Sequence, residues 1–65
     1  MNYADISTYL IRKLDERQDE LKDHITKGSL RNMAEYTKLC GLIQGLGFAK
    51  ELIIDLSIRM EKDDE

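Results

Sequence analysis

The first 27 residues carry apolar side chains at spacings of three, four and seven, which is typical of an amphipathic helix with one buried stripe. Arg17 and His24 fall on the same stripe, and charged residues cover the opposite face. Asn2 is a suitable N-cap, so we predict a helix over about residues 3–27. The apolar members of the stripe are Tyr3, Ile6, Leu10, Leu14, Leu21 and Ile25.

The segment from about residue 30 to residue 60 is also helix-periodic, but it has two apolar faces. One face consists of Leu30, Ala34, Gly41, Gly45, Phe48, Ala49, Leu52 and Leu56. The other consists of Tyr36, Leu39, Ile43, Leu46, Ile53 and Ile54, and Leu42 and Met60 bridge the two. A first helix with one stripe covers only one of these faces. We therefore expect a further partner to cover the other, since soluble monomers rarely expose so long an apolar strip.

The connection between the two segments is short. Lys27 and Gly28 suit the end of a helix, and Ser29 suits the start of the next. Asn32 is a second candidate N-cap, with Glu35 three residues later as in a capping box. A turn at 28–29 makes the helices antiparallel neighbours. We predict an all-α fold with one domain over 1–65: a helical hairpin followed by an acidic tail at 61–65.

Three glycines within seven residues interrupt the second segment: Gly41, Gly45 and Gly47. Each costs about 0.5–1 kcal/mol relative to alanine inside a helix. Two of them share a stripe of small residues with Ala34 and Ala49, which lets another helix approach closely. We expect the hairpin to self-associate into a four-helix bundle or to dock on a larger protein. The predicted interface residues are Ala34, Leu39, Gly41, Ile43, Gly45, Leu46 and Ala49.

An alternative is that Gly45-Leu46-Gly47 breaks the second helix into two. The period of four in the small residues favours a continuous helix. Gly47 lies outside the stripe, and the pattern gives no reason for it.

Length and charge narrow the classes of function. A core built from 65 residues is marginal without disulfides, a metal or self-association, and Cys40 is the one cysteine. The net charge is -3 and neither half is basic, which disfavours nucleic-acid binding. No apolar run approaches the roughly 20 residues of a membrane span, and no signal peptide is evident. We expect a soluble, intracellular protein.

Candidate chemistry is sparse. Glu20, Asp23 and His24 form a fragment of a metal site, but no facing carboxylate completes it. Cys40 and His24 lack an orienting group for nucleophilic catalysis. The glycines do not form a phosphate loop. We predict no enzyme activity, no metal and no cofactor.

A resemblance suggests the biological setting. The segment from about residue 28 to residue 56 resembles small helical proteins of short-tailed bacteriophages. The residues that carry it are Gly28-Ser29, Ala34-Glu35-Tyr36, Leu39-Cys40-Gly41-x-Ile43-x-Gly45-Leu46 and Ala49. The resemblance implies a non-enzymatic phage structural or interaction protein, virion-associated or an assembly accessory. Its expected partners are itself or a larger phage protein, in the virion or the host cytoplasm.

Two other functions remain open from the residues. One is a regulator similar to the plasmid-encoded hairpin dimer that binds paired RNA loops, which matches in size but would need a basic face. The other is a small inhibitor of a host enzyme, which the acidic balance permits.

Overall fold

The computed structural model describes residues 2–28 and 30–63 and consists of two helices, α1 (Tyr3–Thr26) and α2 (Met33–Asp63). The helices pack against each other as an antiparallel hairpin of 51 × 18 × 12 Å. The predicted all-α hairpin is therefore confirmed. Helix α2 runs without interruption through Gly45 and Gly47, so the alternative of a broken helix is wrong.

Local signals set most of the helix boundaries. The side-chain oxygen of Asn2 accepts a hydrogen bond from the Asp5 amide at 3.0 Å, so Asn2 caps α1 as predicted. At the other end Gly28 has a φ of 69°, in the left-handed region that glycine tolerates at the end of a helix. The backbone amide of Gly28 donates to the carbonyl of Ile25 at 3.1 Å and closes the turn.

Helix α2 begins at the later of its two predicted starts. Asn32 caps it by accepting from the Glu35 amide at 2.9 Å. The Glu35 carboxylate accepts in turn from the backbone amide of Arg31 at 3.1 Å, one residue earlier than in a standard capping box. The other predicted cap, Ser29, lies outside the described residues. At its far end α2 extends to Asp63, so the first part of the predicted tail is helical, while residues 64–65 also lie outside the described range.

A seam of half-buried residues joins the helices, and its spacings alternate between three and four. This is the seven-residue repeat of a coiled coil, here in an antiparallel hairpin. Among the described residues Leu21 alone is buried, with 8 % of its surface exposed. The seam consists of Ser7, Ile11, Leu14, Gln18, Leu21 and Ile25 from α1 and of Leu39, Ile43, Leu46, Lys50, Ile53, Ser57 and Met60 from α2.

The seam of α1 differs from the predicted stripe. Ile6 and Leu10 were expected inside, but 44 % and 41 % of their surfaces are exposed. Ser7, Ile11 and Gln18 lie in the seam instead. The difference arises because two of these three residues are polar, so a search for apolar periodicity assigns the buried face to their apolar neighbours.

Candidate interaction surface

Contacts between the helices show which side of α2 is turned toward α1. The Gln18 amide nitrogen donates to the carbonyl of Ile43 at 3.0 Å, and the Ser57 hydroxyl donates to that of Ser7 at 2.8 Å. Between them, the Lys50 ammonium pairs with the Asp15 carboxylate and lies 3.4 Å from the Gln18 amide oxygen. Ile43, Lys50 and Ser57 are spaced by seven residues, so they mark one continuous line along α2.

The opposite side of α2 carries apolar residues that α1 does not cover. Phe48 and Leu52 have 65 % and 71 % of their surfaces exposed. We call this surface the outer apolar face. It consists of Gly41, Leu42, Gly45, Phe48, Leu52 and Leu56, all of them exposed. The sequence predicted that one of the two apolar faces of this segment would lack cover from the first helix. Most of that face is exposed, and Tyr36 and Ile54 of the other face are each 43 % exposed as well.

A groove crosses the outer apolar face where its two glycines lie. The groove has a volume of about 270 Å³, and α1 forms its far wall. It is lined by Arg17, Leu21, Gly41, Leu42, Gly45 and Leu46. The walls are largely hydrocarbon, so the groove suits an apolar side chain of a partner.

Gly41 and Gly45 serve no packing purpose within the hairpin. A Cβ atom added at either position would meet nothing within 4 Å. Alanine would therefore fit in the isolated chain and would favour the helix by about 0.5–1 kcal/mol at each position. Nothing within the hairpin therefore requires glycine at these two positions. A bare backbone also allows a neighbouring helix to approach closely.

Gly47 has a different role, which the sequence did not reveal. A Cβ atom at this position would lie 3.4 Å from the amide nitrogen of Gln18. The Gln18 side chain crosses the seam here to reach the carbonyl of Ile43. Gly47 therefore leaves space for a polar contact inside the hairpin.

The predicted interface residues divide into two groups in the structure. Ala34, Gly41 and Gly45 are exposed. The remaining four are half-buried, and three of these belong to the seam; they are Leu39, Ile43, Leu46 and Ala49. Whether any of the seven contacts a partner stays a prediction.

The outward side of α1 is acidic and carries a shallow depression. Glu16, Asp19, Glu20 and Asp23 surround a depression on it. Within α1, Arg17 pairs with Glu20 at 2.8 Å, and Lys27 pairs with Asp23 at the same distance. The hydrogen bond with Asp23, followed by its charge, raises the pKa of Lys27 above its usual value. Over residues 2–28 and 30–63, no three histidine, cysteine or acidic side chains are arranged to hold a metal ion.

Two further side chains with reactive or titratable groups lie near the turn. The nitrogen Nε2 of His24 lies 3.6 Å from a carboxylate oxygen of Glu35 and links the two helices. Cys40 is a half-buried free thiol. Hydrogen bonding with Cys40, followed by the charge of Cys40 and by desolvation, raises the pKa of Tyr36.

Within the part of the chain that the structure describes, neither helix is long and apolar enough to cross a membrane. No protein-family model, curated protein or solved structure matches the chain.

Proposed function

We propose that this chain is a non-enzymatic interaction protein that acts through helix packing, with the outer apolar face as its working surface. One observation carries the proposal: α2 holds large apolar side chains at its exposed positions while its seam positions already pack on α1. Exposed apolar patches of this kind usually mark surfaces that bind another protein. Self-association into a four-helix bundle and docking on a larger protein are the two ways of covering this face.

The biological setting that we propose is a bacteriophage, with the protein either in the virion or acting as an assembly accessory. This part rests on the sequence resemblance. Mass spectrometry of purified phage particles tests it, because a virion component is recovered at a fixed ratio to the major capsid protein. Absence from the particles and from assembly intermediates would contradict the setting while leaving the helix-packing surface in place.

The working surface is tested by placing charge on it. Leu52→Glu should abolish association, because the carboxylate would be desolvated in an apolar contact. Ile58→Glu is the matched control: this residue is also an exposed apolar residue of α2, but it lines a depression on a different side of the hairpin. Association measured by light scattering should be lost in the first variant and kept in the second. Equal effects of the two would contradict the assignment of the surface.

The non-enzymatic part of the proposal has its own test. Replacing Glu20, Asp23 and His24 together by alanine removes the three side chains that come nearest to a catalytic or metal-binding set. We expect the triple variant to keep its association. Loss of a bound metal together with loss of association would overturn this part.

A further inference from the structure

We infer that the occupant of the outer apolar face is a second copy of this chain, seated with its α2 antiparallel to the first about Gly45. In this arrangement Phe48 of each copy packs on the bare backbone of the other copy at Gly41. The inference rests on the proposed function and names the partner of that surface. Three observations support it: the shape of the face, the surface area of the chain and the placement of charge.

The outer apolar face contains both a projection and a recess. Phe48 projects from α2 with most of its ring exposed, and the groove beside Gly41, Leu42 and Gly45 lies one to two turns earlier on the same helix. A two-fold axis near Gly45 relates residue 48 of one copy to residue 42 of the other. Each phenyl ring then lies on the same flank of the contact as Gly41 of the other copy, where no side chain covers the backbone. A surface that holds both halves of the contact is self-complementary, as the interface of a two-fold dimer must be.

The chain exposes more surface than a compact monomer of its mass. The accessible surface is 5235 Å². A folded monomer of this mass exposes about 4,300 Å² by the usual scaling of surface with size. The excess of about 900 Å² is close to the roughly 800 Å² that each partner buries in a standard protein interface. One additional copy is enough to cover it.

Charge favours a second copy seated through α2. No charged residue lies between Lys38 and Lys50, so packing about Gly45 brings no like charges together at its centre. With the axis at Gly45, an antiparallel arrangement places Lys38 of one copy level with Leu52 of the other, whereas a parallel one would place the two Lys38 residues side by side. Packing through α1 would oppose two acidic surfaces. The α1 helices therefore lie on the outside of the dimer.

Sedimentation equilibrium on the whole chain tests the dimer and its surface together. We expect the wild type to be dimeric at micromolar concentration. Gly45→Leu and Phe48→Ala should each raise the dissociation constant by about tenfold or more, since central apolar contacts dominate such interfaces. Circular dichroism should show that both variants keep their helix content, because neither Gly45 nor the ring of Phe48 packs within the hairpin. Ile58→Ala is the control and should remain a dimer.

Disulfide trapping tests the position of the axis. In a Cys40→Ser background, Gly45→Cys should form a cross-linked dimer on mild oxidation, while Glu16→Cys on the outward side of α1 should not. Cross-linking through residue 16 but not through residue 45 would overturn the inference.

The outcomes separate this inference from the proposed function. A wild type that is dimeric but insensitive to Gly45→Leu and Phe48→Ala would place the dimer contact elsewhere and overturn the inference. The wild type could instead be a monomer that binds a purified phage protein, with the binding lost in Leu52→Glu. That result would overturn the inference that the partner is a second copy, but it would keep the outer apolar face as the working surface. A monomer that shows no binding sensitive to Leu52→Glu would contradict both.

Discussion

The amide nitrogen of Gln18 lies 3.4 Å from the place that a Cβ atom of Gly47 would occupy, on the opposite helix. The same nitrogen donates to the carbonyl of Ile43, four residues before Gly47 in α2. A Cβ atom at this position would touch the Gln18 amide at van der Waals distance, and a larger side chain would displace it.

The contact between Gln18 and Gly47 gives a first prediction. Gly47→Leu should lower the free energy of unfolding by about 1–2 kcal/mol, because the new side chain displaces Gln18 from its hydrogen bond and crowds the space beside it. Urea denaturation followed by circular dichroism measures the change. In a Gln18→Ala background, where the space is already free, the same substitution should cost less than half as much. An equal cost in both backgrounds would show that Gly47 is required for another reason.

The two serines of the seam give a second prediction. Ser7→Ala leaves the half-buried Ser57 hydroxyl without its partner on α1, which should cost about 1 kcal/mol. The double variant with Ser57→Ala as well should be close to the wild type, since it removes donor and acceptor together. Thermal unfolding of the single and double variants makes the comparison. If the losses of stability in the two single variants add up in the double variant, the 2.8 Å hydrogen bond contributes no stability of its own.

The cap of α2 gives a third prediction. Asn32→Ala should destabilise the hairpin by about 1 kcal/mol, because the Glu35 amide loses its acceptor at the first turn. Asn32→Gly is the matched control and should cost only a few tenths of a kcal/mol, since glycine is tolerated at this position. Chemical denaturation of both variants at one protein concentration distinguishes them. Identical losses would indicate that the Asn32 side chain does not cap the helix in solution.

The contact between Tyr36 and Cys40 predicts that the stability of the folded chain depends on pH in the alkaline range. The hydrogen bond with Cys40, with the charge of its thiolate, raises the pKa of Tyr36 above the ordinary 10.0. The folded chain then holds this proton more tightly than the unfolded chain does. The resulting stability is fully present below pH 10 and is lost as the pH rises through the higher pKa of the folded state.

The measurement is the absorbance of tyrosinate during titration, taken as the difference between the wild type and Tyr36→Phe. In a Cys40→Ala background the pKa of Tyr36 should move down toward 10.0, because the two largest of its three causes are removed. A Tyr36 that titrates identically with and without Cys40 would rule out the contact.

The amino-acid sequence by itself determined the hairpin and most of its boundaries. Asn2, Gly28 and Asn32 act on groups within four residues of themselves, through a side-chain oxygen or a left-handed backbone. Such signals are local, so they can be read from the chain without knowing what lies across from it. The two apolar faces of α2 could also be predicted from the sequence, since helical periodicity depends only on spacing.

Only the tertiary structure decided which residues lie between the helices. The seam of α1 passes through Ser7 and Gln18 rather than Ile6 and Leu10, because its position depends on the register of the two helices. That register is fixed by partners 25 to 50 residues away, among them the carbonyl of Ile43 and the hydroxyl of Ser57. Hydrophobic spacing contains no information about such contacts. The same choice of register gave Gly47 its place beside Gln18, and it left Gly41, Gly45 and Phe48 facing outward.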